Sequence, residues 1–232
     1  MRAHPEAHAA LGTTGWLRPL VLGAEDGIVS TSALVIGVAA AGGGATALLA
    51  AGTAGLVSGS LSMAVGEYVS VAAQRDAEHA DIARETWELE HQPDAELDEL
   101  TGIYRSRGLS PELARQVAIE LTSHDALGTH LREELAIDQR VVARPLQAAW
   151  LSAASFAAGA ILPLVTILLA PSSARIWMTT LVTLVVLGAA GAAGARLGRS
   201  GLIAGTLRVA VGGAIAMAAT WLVGTALGVA IA

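Results

Sequence analysis

Long apolar blocks on either side of a polar block with helical periodicity organise this chain. Gly27 to Gly66 is a run of 40 uncharged residues, mostly Ala, Val, Leu, Gly, Ser and Thr, interrupted only by Gly42-Gly43-Gly44. Each half is long enough to cross a bilayer, which takes about 20 residues. Continuing to the C-terminus, the pattern predicts five spans: residues 18–41, 46–73, 146–170, 176–195 and 202–231. Pro19 suits the first turn of span one, where its missing N–H does no harm. Pro163 predicts a kink in span three. Span two has no Gly or Pro between Glu67 and His91, so its helix is expected to run on past Gln74 into water until Pro93 stops it.

The polar block reads as three further helices, 94–107, 110–123 and 126–143. Ser110-Pro111-Glu112 is a start signal, with Ser as cap and Pro in the first position. Leu109, Leu113, Val117 and Leu121 recur at helical spacing, which predicts a packed bundle. The fold class is therefore an all-α membrane protein of five transmembrane helices, with a cytoplasmic helical insertion between helices 2 and 3. The divisions are a tail at 1–17, spans one and two at 18–74, the acidic domain at 75–145 and spans three to five at 146–232.

Charge sharpens this picture. Charged residues make up 15% of the chain, against about 25% in soluble domains, and mean hydropathy is +0.57. Residues 75–146 hold 16 of the 20 acidic residues and 8 of the 14 basic ones, all of them Arg. With no Cys there is no disulfide, zinc–thiolate site or thiol nucleophile. The first 15 residues have no apolar core and resemble no secretory signal. A net charge of −6 argues against nucleic acid and, being concentrated in one block, points to cations. The positive-inside rule puts the N-terminus, the acidic block and the Arg196/Arg199 loop in the cytoplasm, with Arg175 on the far side. Arg208 can snorkel toward the cytoplasmic side. Glycines spaced three or four apart (Gly55/Gly59, Gly188/Gly191/Gly194, Gly201/Gly205, Gly224/Gly228) allow close helix approach, either within the chain or at a dimer seam.

Glu25 and Asp26 stand at the head of the first apolar run. A carboxylate at membrane depth costs about 2.5–3.5 kcal/mol or more to insert and ordinarily faces a pore, partner or ion. Met63 and Glu67, one turn apart on span two, share a helix face. A carboxylate with a soft sulfur suits a borderline transition metal better than Mg²⁺ or Ca²⁺. Simpler readings make Met63 a core filler and Glu67 an interfacial group.

In the acidic block, Glu85/Glu88 and Glu96/Glu99 are like-charged pairs three residues apart, a repulsion that a bridging cation relieves. His124, His130, Glu133 and Glu134 can add ligands from a third helix. The plainer alternative is a solvated acidic face. Glu88-x-x-His91 matches one half of a di-iron carboxylate motif, which needs two. No Ser/His/Asp set, phosphate loop or nucleotide fingerprint is present, so the chain does not read as an enzyme.

Asp26-Gly-Ile-Val-Ser-Thr in span one, Ser60-Leu-Ser-Met-Ala-Val-Gly-Glu-Tyr-Val-Ser70 in span two and Gln74-Arg-Asp-Ala-Glu78 after it resemble the vacuolar iron transporter family, and the resemblance extends from about Leu17 to the C-terminus. It implies a homodimeric antiporter that moves Fe²⁺, and often Mn²⁺, out of the cytoplasm in exchange for protons. Its pore residues fall on Asp26 and Met63. Its cytoplasmic metal-binding glutamates fall on Glu85, Glu88, Glu96, Glu99 and Glu134. Two departures stand out. A glutamate that some members carry early in span two falls near Gly55, leaving Glu67 to substitute. Met residues that precede the third-helix glutamate are replaced by Thr129-His130-Leu131-Arg132, which makes His130 a candidate ligand. A bacterial cell membrane is the expected location, with a vacuolar membrane as the alternative. Rival functions are a membrane-anchored ferroxidase and a small-molecule exporter.

Overall fold

The structure, a computed structural model, describes residues 9–138, 143–198 and 200–231, and among them every regular element is an α-helix. The order is α1 (Ala9–Ala40), α2 (Ala45–His91), α3 (Pro93–Ser106), α4 (Pro111–Glu133), α5 (Pro145–Leu169), α6 (Arg175–Leu197) and α7 (Leu202–Ile231). Five of these are long and apolar enough to cross a membrane, the first from Pro19 to Ala40. The all-helical, five-span expectation holds.

Several boundaries differ from those expected. α1 begins at Ala9, so Pro19 lies inside it rather than in its first turn; residues 9–18 contain no breaker stronger than glycine and carry the helix through. The third polar helix was expected to reach residue 143, but the described helix ends at Glu133. Residues 139–142 lie outside the described residues, as do the first eight residues and Arg199.

The break at Gly42-Gly43-Gly44 is a paired helix stop. Gly42 N–H donates to the Ala39 carbonyl at 3.1 Å and Gly43 N–H to the Val38 carbonyl at 2.9 Å. This closure needs a left-handed residue after the cap, and Gly42 supplies it at φ +86°.

The chain divides into two compact units, residues 1–69 with 145–232, and residues 70–144. α2 gives its first part to one and its last part to the other. In the first unit Val35, Leu48, Leu164 and Ile167 form a buried apolar cluster. α1 packs against α5, α6 and α7. Its approach to α5 depends on Gly27 and Gly159: a Cβ on either would run into the backbone of Phe156 or Ala24 respectively. The same need holds at Gly191 and Gly205 between α6 and α7, and at Gly224 against the Gly37 carbonyl. These glycines thus serve packing within the chain. A buried hydrogen bond at 2.8 Å between the Ser32 and Thr183 hydroxyls joins α1 to α6.

The second unit pairs α3 with α4. Ser110 caps α4, its Oγ accepting the Leu113 N–H at 3.3 Å. Leu100, Ala114, Ala118 and Leu131 are fully buried, whereas Leu113 is 49% exposed. The fully buried stripe of α4 is thus Ala114/Ala118, while Leu109, Val117 and Leu121 of the expected series are half-buried beside it. Salt bridges from Arg107 to Glu133 and from Arg115 to Asp98 (2.6 Å) tie the two helices together.

Candidate ion sites

Asp26 sits inside α1 in the first unit. It lines a cavity of about 280 Å³ with Ser30, Thr31 and Leu34 of the same helix, five residues of α2 that include Met63, and Phe156 of α5. The α2 side is built from small residues (Gly55, Ser58, Gly59, Ser62), so space remains where large side chains would close it. Sequence distance separates Asp26 from Met63, and the fold brings both to one hollow. Glu67, one turn beyond Met63, is partly buried and is not among the residues lining it. Gly55 does line it and brings no side chain to it.

The second site lies in the other unit, where the residues come from three helices. A 47-residue helix at about 1.5 Å per residue is roughly twice as long as a bilayer core is thick, and its residues from Ser70 on belong to the second unit. Glu85 lies there. Gln92 and Pro93 turn the chain into α3, whose first turn presents Glu96. α4 is broken at Asp125, which has extended dihedrals (φ −159°, ψ 83°). Asp125 Oδ1 accepts the Gly128 N–H at 3.0 Å, capping a new helical start that leads to His130. After Glu134 the chain turns at Ala136, a non-glycine residue with φ +53°, and Ile137 N–H closes back to the Leu131 carbonyl at 2.6 Å.

Glu85, Glu96, His130 and Glu134 each offer one ligand atom, and the four atoms lie within 4.8 Å of one another. Glu85, Glu96 and His130 are buried. His130 Nδ1 stands 2.9 Å from Glu85 Oε1, 3.7 Å from Glu96 Oε2 and 3.3 Å from Glu134 Oε2. Glu85 Oε1, Glu96 Oε2 and His130 Nε2 are all buried without a hydrogen-bond partner, and the hydrogen bond of the imidazole Nδ1 is with Glu134 Oε2. Two orphaned carboxylate oxygens facing one another are costly unless a cation joins them.

Burial, reinforced by the charges of Glu134, Glu96 and Glu88 and only partly offset by His130, pushes Glu85 up from 4.5 to about 7. Glu96 is raised for the same first reason, then by Glu99. Glu88 and Glu99 act on the cluster through their charge, but their oxygens are not in the four-atom group. Glu133 is engaged by Arg107, and His124 is exposed. His91 Nδ1 contacts the Trp87 carbonyl and its ring stacks on Trp87, so Glu88 and His91 do not form half of a di-iron site. The fully buried His130 was a secondary candidate in sequence; here it is the hub.

Five apolar helices long enough to cross a membrane define an all-helical integral membrane protein, and the carboxylate–imidazole cluster is a group that could hold a metal ion. The model of the VIT family matches residues 17–225. The chain is 46% identical over 213 residues to a vacuolar iron transporter of Acanthamoeba castellanii, covering 91% of this chain and 78% of that one. It is 38% identical to vacuolar iron transporter homolog 1 of Oryza sativa subsp. japonica (89% and 71% covered). It is 32% identical to vacuolar iron transporter homolog 2.1 of Arabidopsis thaliana (95% and 85% covered). The chain belongs to the VIT family.

Proposed function

We propose that this protein carries Fe²⁺, and Mn²⁺ with it, out of the cytoplasm across a membrane, in exchange for protons and as a homodimer. The observation that carries the reading is the meeting of Asp26 and Met63 at one cavity between α1 and α2. A carboxylate residue and a thioether residue lining one cavity favour a borderline divalent metal. The names of the relatives support iron as the cargo. The arginine distribution supports a cytoplasmic acidic unit, and a bacterial cell membrane is the proposed location.

In this mechanism the cluster of Glu85, Glu96, His130 and Glu134 takes the ion from the cytoplasm, with Glu88 and Glu99 adding negative potential that concentrates cations nearby. The ion then sheds part of its water at Asp26 and Met63. A proton arriving from the far side neutralises Asp26 and releases the metal. One carboxylate cannot hold proton and metal well together, and that exclusion couples the two fluxes. Glu67, outside the cavity lining, serves as a proton relay.

Flux through proteoliposomes tests the reading. Asp26→Ala should abolish Fe²⁺ and Mn²⁺ movement and the proton flux that accompanies it. Unchanged flux would remove Asp26 from the pathway and with it the mechanism.

A further inference from the structure

A mainly apolar crevice of about 410 Å³ lies between α6 and α7, at the end of the first unit where α5 turns into α6. Ile36 of α1 and Met217 of α7, both buried, form its floor. Trp177 and Trp221 line it while staying 77% and 44% exposed. Ala214 and Trp221 both line it, so it runs about 10 Å along α7 at 1.5 Å per residue. Leu181 and Leu222, one turn beyond Trp177 and Ala218 on the same two helices, are exposed as well. An apolar hollow does not hold water, so on a membrane-spanning surface a hydrocarbon chain is what fills it.

The loop end of the crevice is polar and positive. Ser172 and Ser173 line it, and Arg175 Nη2 donates to Ser172 Oγ at 3.2 Å. Arg175 pairs with no carboxylate among the described residues. It is the first residue of α6, whose cap, Ala174, brings no side-chain hydrogen bond and whose first turn has no acid. The positive end of the helix dipole thus carries a base where an acid is favoured, and an anion relieves the mismatch. Tryptophans such as Trp177 belong at headgroup level.

We infer that this crevice binds one anionic phospholipid, with an acyl chain between α6 and α7 and the phosphate at the start of α6 beside Arg175 and the serine hydroxyls. A zwitterionic lipid offers the same phosphate but adds a cation that Arg175 repels, so the net-negative headgroup is preferred. A second copy of the chain is the poorer occupant. Residues 145–232 contain no Asp or Glu, so α6 and α7 of another copy would bring Arg175 no anion.

Tryptophan fluorescence tests this on the full-length protein, delipidated in detergent and titrated with phospholipids whose brominated chains quench on contact. Phosphatidylglycerol and phosphatidylcholine with the same chains are compared. Quenching by the anionic lipid should saturate at about fivefold lower lipid fraction, the size of one basic side chain's attraction to an anionic lipid surface. The double variant Trp177→Phe/Trp221→Phe should lose the saturable component. Ala218→Phe, which fills the crevice from an exposed wall position, should lose it too while melting near the parental temperature without lipid. Arg175→Gln should keep the quenching and make the two lipids equal. Equal half-saturation in the parent would overturn the proposal, as would a preference for the anionic lipid that survives Arg175→Gln. The chain has no cysteine, so Ala218→Cys can report a neighbouring copy. Disulfide-linked dimers of that variant, with no saturable quenching in the parent, would show that a second copy covers the crevice and would also overturn it.

Discussion

The cavity of the first unit and the cluster of the second use ligands in opposite ways. Around Asp26 there is one carboxylate, one thioether and several hydroxyls, and the space is open. Around His130 there are three carboxylates and an imidazole, with three of the four residues buried. The first set is too sparse to hold an ion for long. The second is dense enough that its empty form is electrostatically uncomfortable, as the elevated Glu85 shows. On the proposed mechanism the difference separates passage from capture: an ion that must move on meets few ligands, and one that must be taken from dilute solution meets many.

The sharpest way to break this division is to remove one carboxylate from each site. Asp26→Asn should reduce metal flux to background, well over a hundredfold, while metal bound per protein at equilibrium stays near the parental value. Glu85→Gln should do the reverse. Affinity measured by calorimetry on the full-length protein should fall by more than about a hundredfold, since groups that merely support a ligand are already worth tenfold to a hundredfold. Maximal flux at saturating metal should survive. Loss of maximal flux in Glu85→Gln would mean that the two sites are obligate steps of one path.

A pH series sharpens the capture side. In the metal-free folded unit Glu85 keeps its proton until about pH 7, against 4.5 as the ordinary value. Between those values the folded state binds more protons than the unfolded one. Stability is therefore greatest below about pH 4.5, falls as pH rises toward 7, and levels off above it, by at most on the order of 3 kcal/mol. Glu96 shifts in the same direction. Saturating Mn²⁺ should reverse the slope, because the metal needs the deprotonated carboxylates. Amide exchange over 111–133, with and without Mn²⁺, reads this directly. A metal-free unit that grows more stable toward pH 7 would contradict the buried-carboxylate picture.

Much of this was legible in the sequence, for identifiable reasons. Membrane spans are written in uninterrupted apolar length, so the five helices and the triple-glycine stop could be read off. Asp26 stood out because charge is expensive there. The cluster was harder. Glu85, Glu88, Glu96 and Glu99 look equivalent in spacing, and only the turn at Gln92-Pro93 and the break at Asp125 decide which oxygens converge. Glu133 and Glu134 are neighbours, yet one goes to Arg107 and the other to His130.

The smallest effect tests how finely the capture site is built. Asp125 is not one of the four ligand residues, but its Oδ1 starts the helical segment that carries His130. Losing a cap of this kind is worth about 1 kcal/mol. Asp125→Ala should therefore loosen that segment and weaken Mn²⁺ binding by about two- to fivefold. Asp125→Asn keeps an oxygen acceptor for the Gly128 N–H and gives up only the exposed contact with Arg132 at 3.5 Å, which contributes little. It should bind within about twofold of the parent. The alanine and asparagine variants remove the same charge, so a difference between them reports the cap, whereas equal losses would mean that the charge of Asp125, and not its hold on the backbone, supports the cluster.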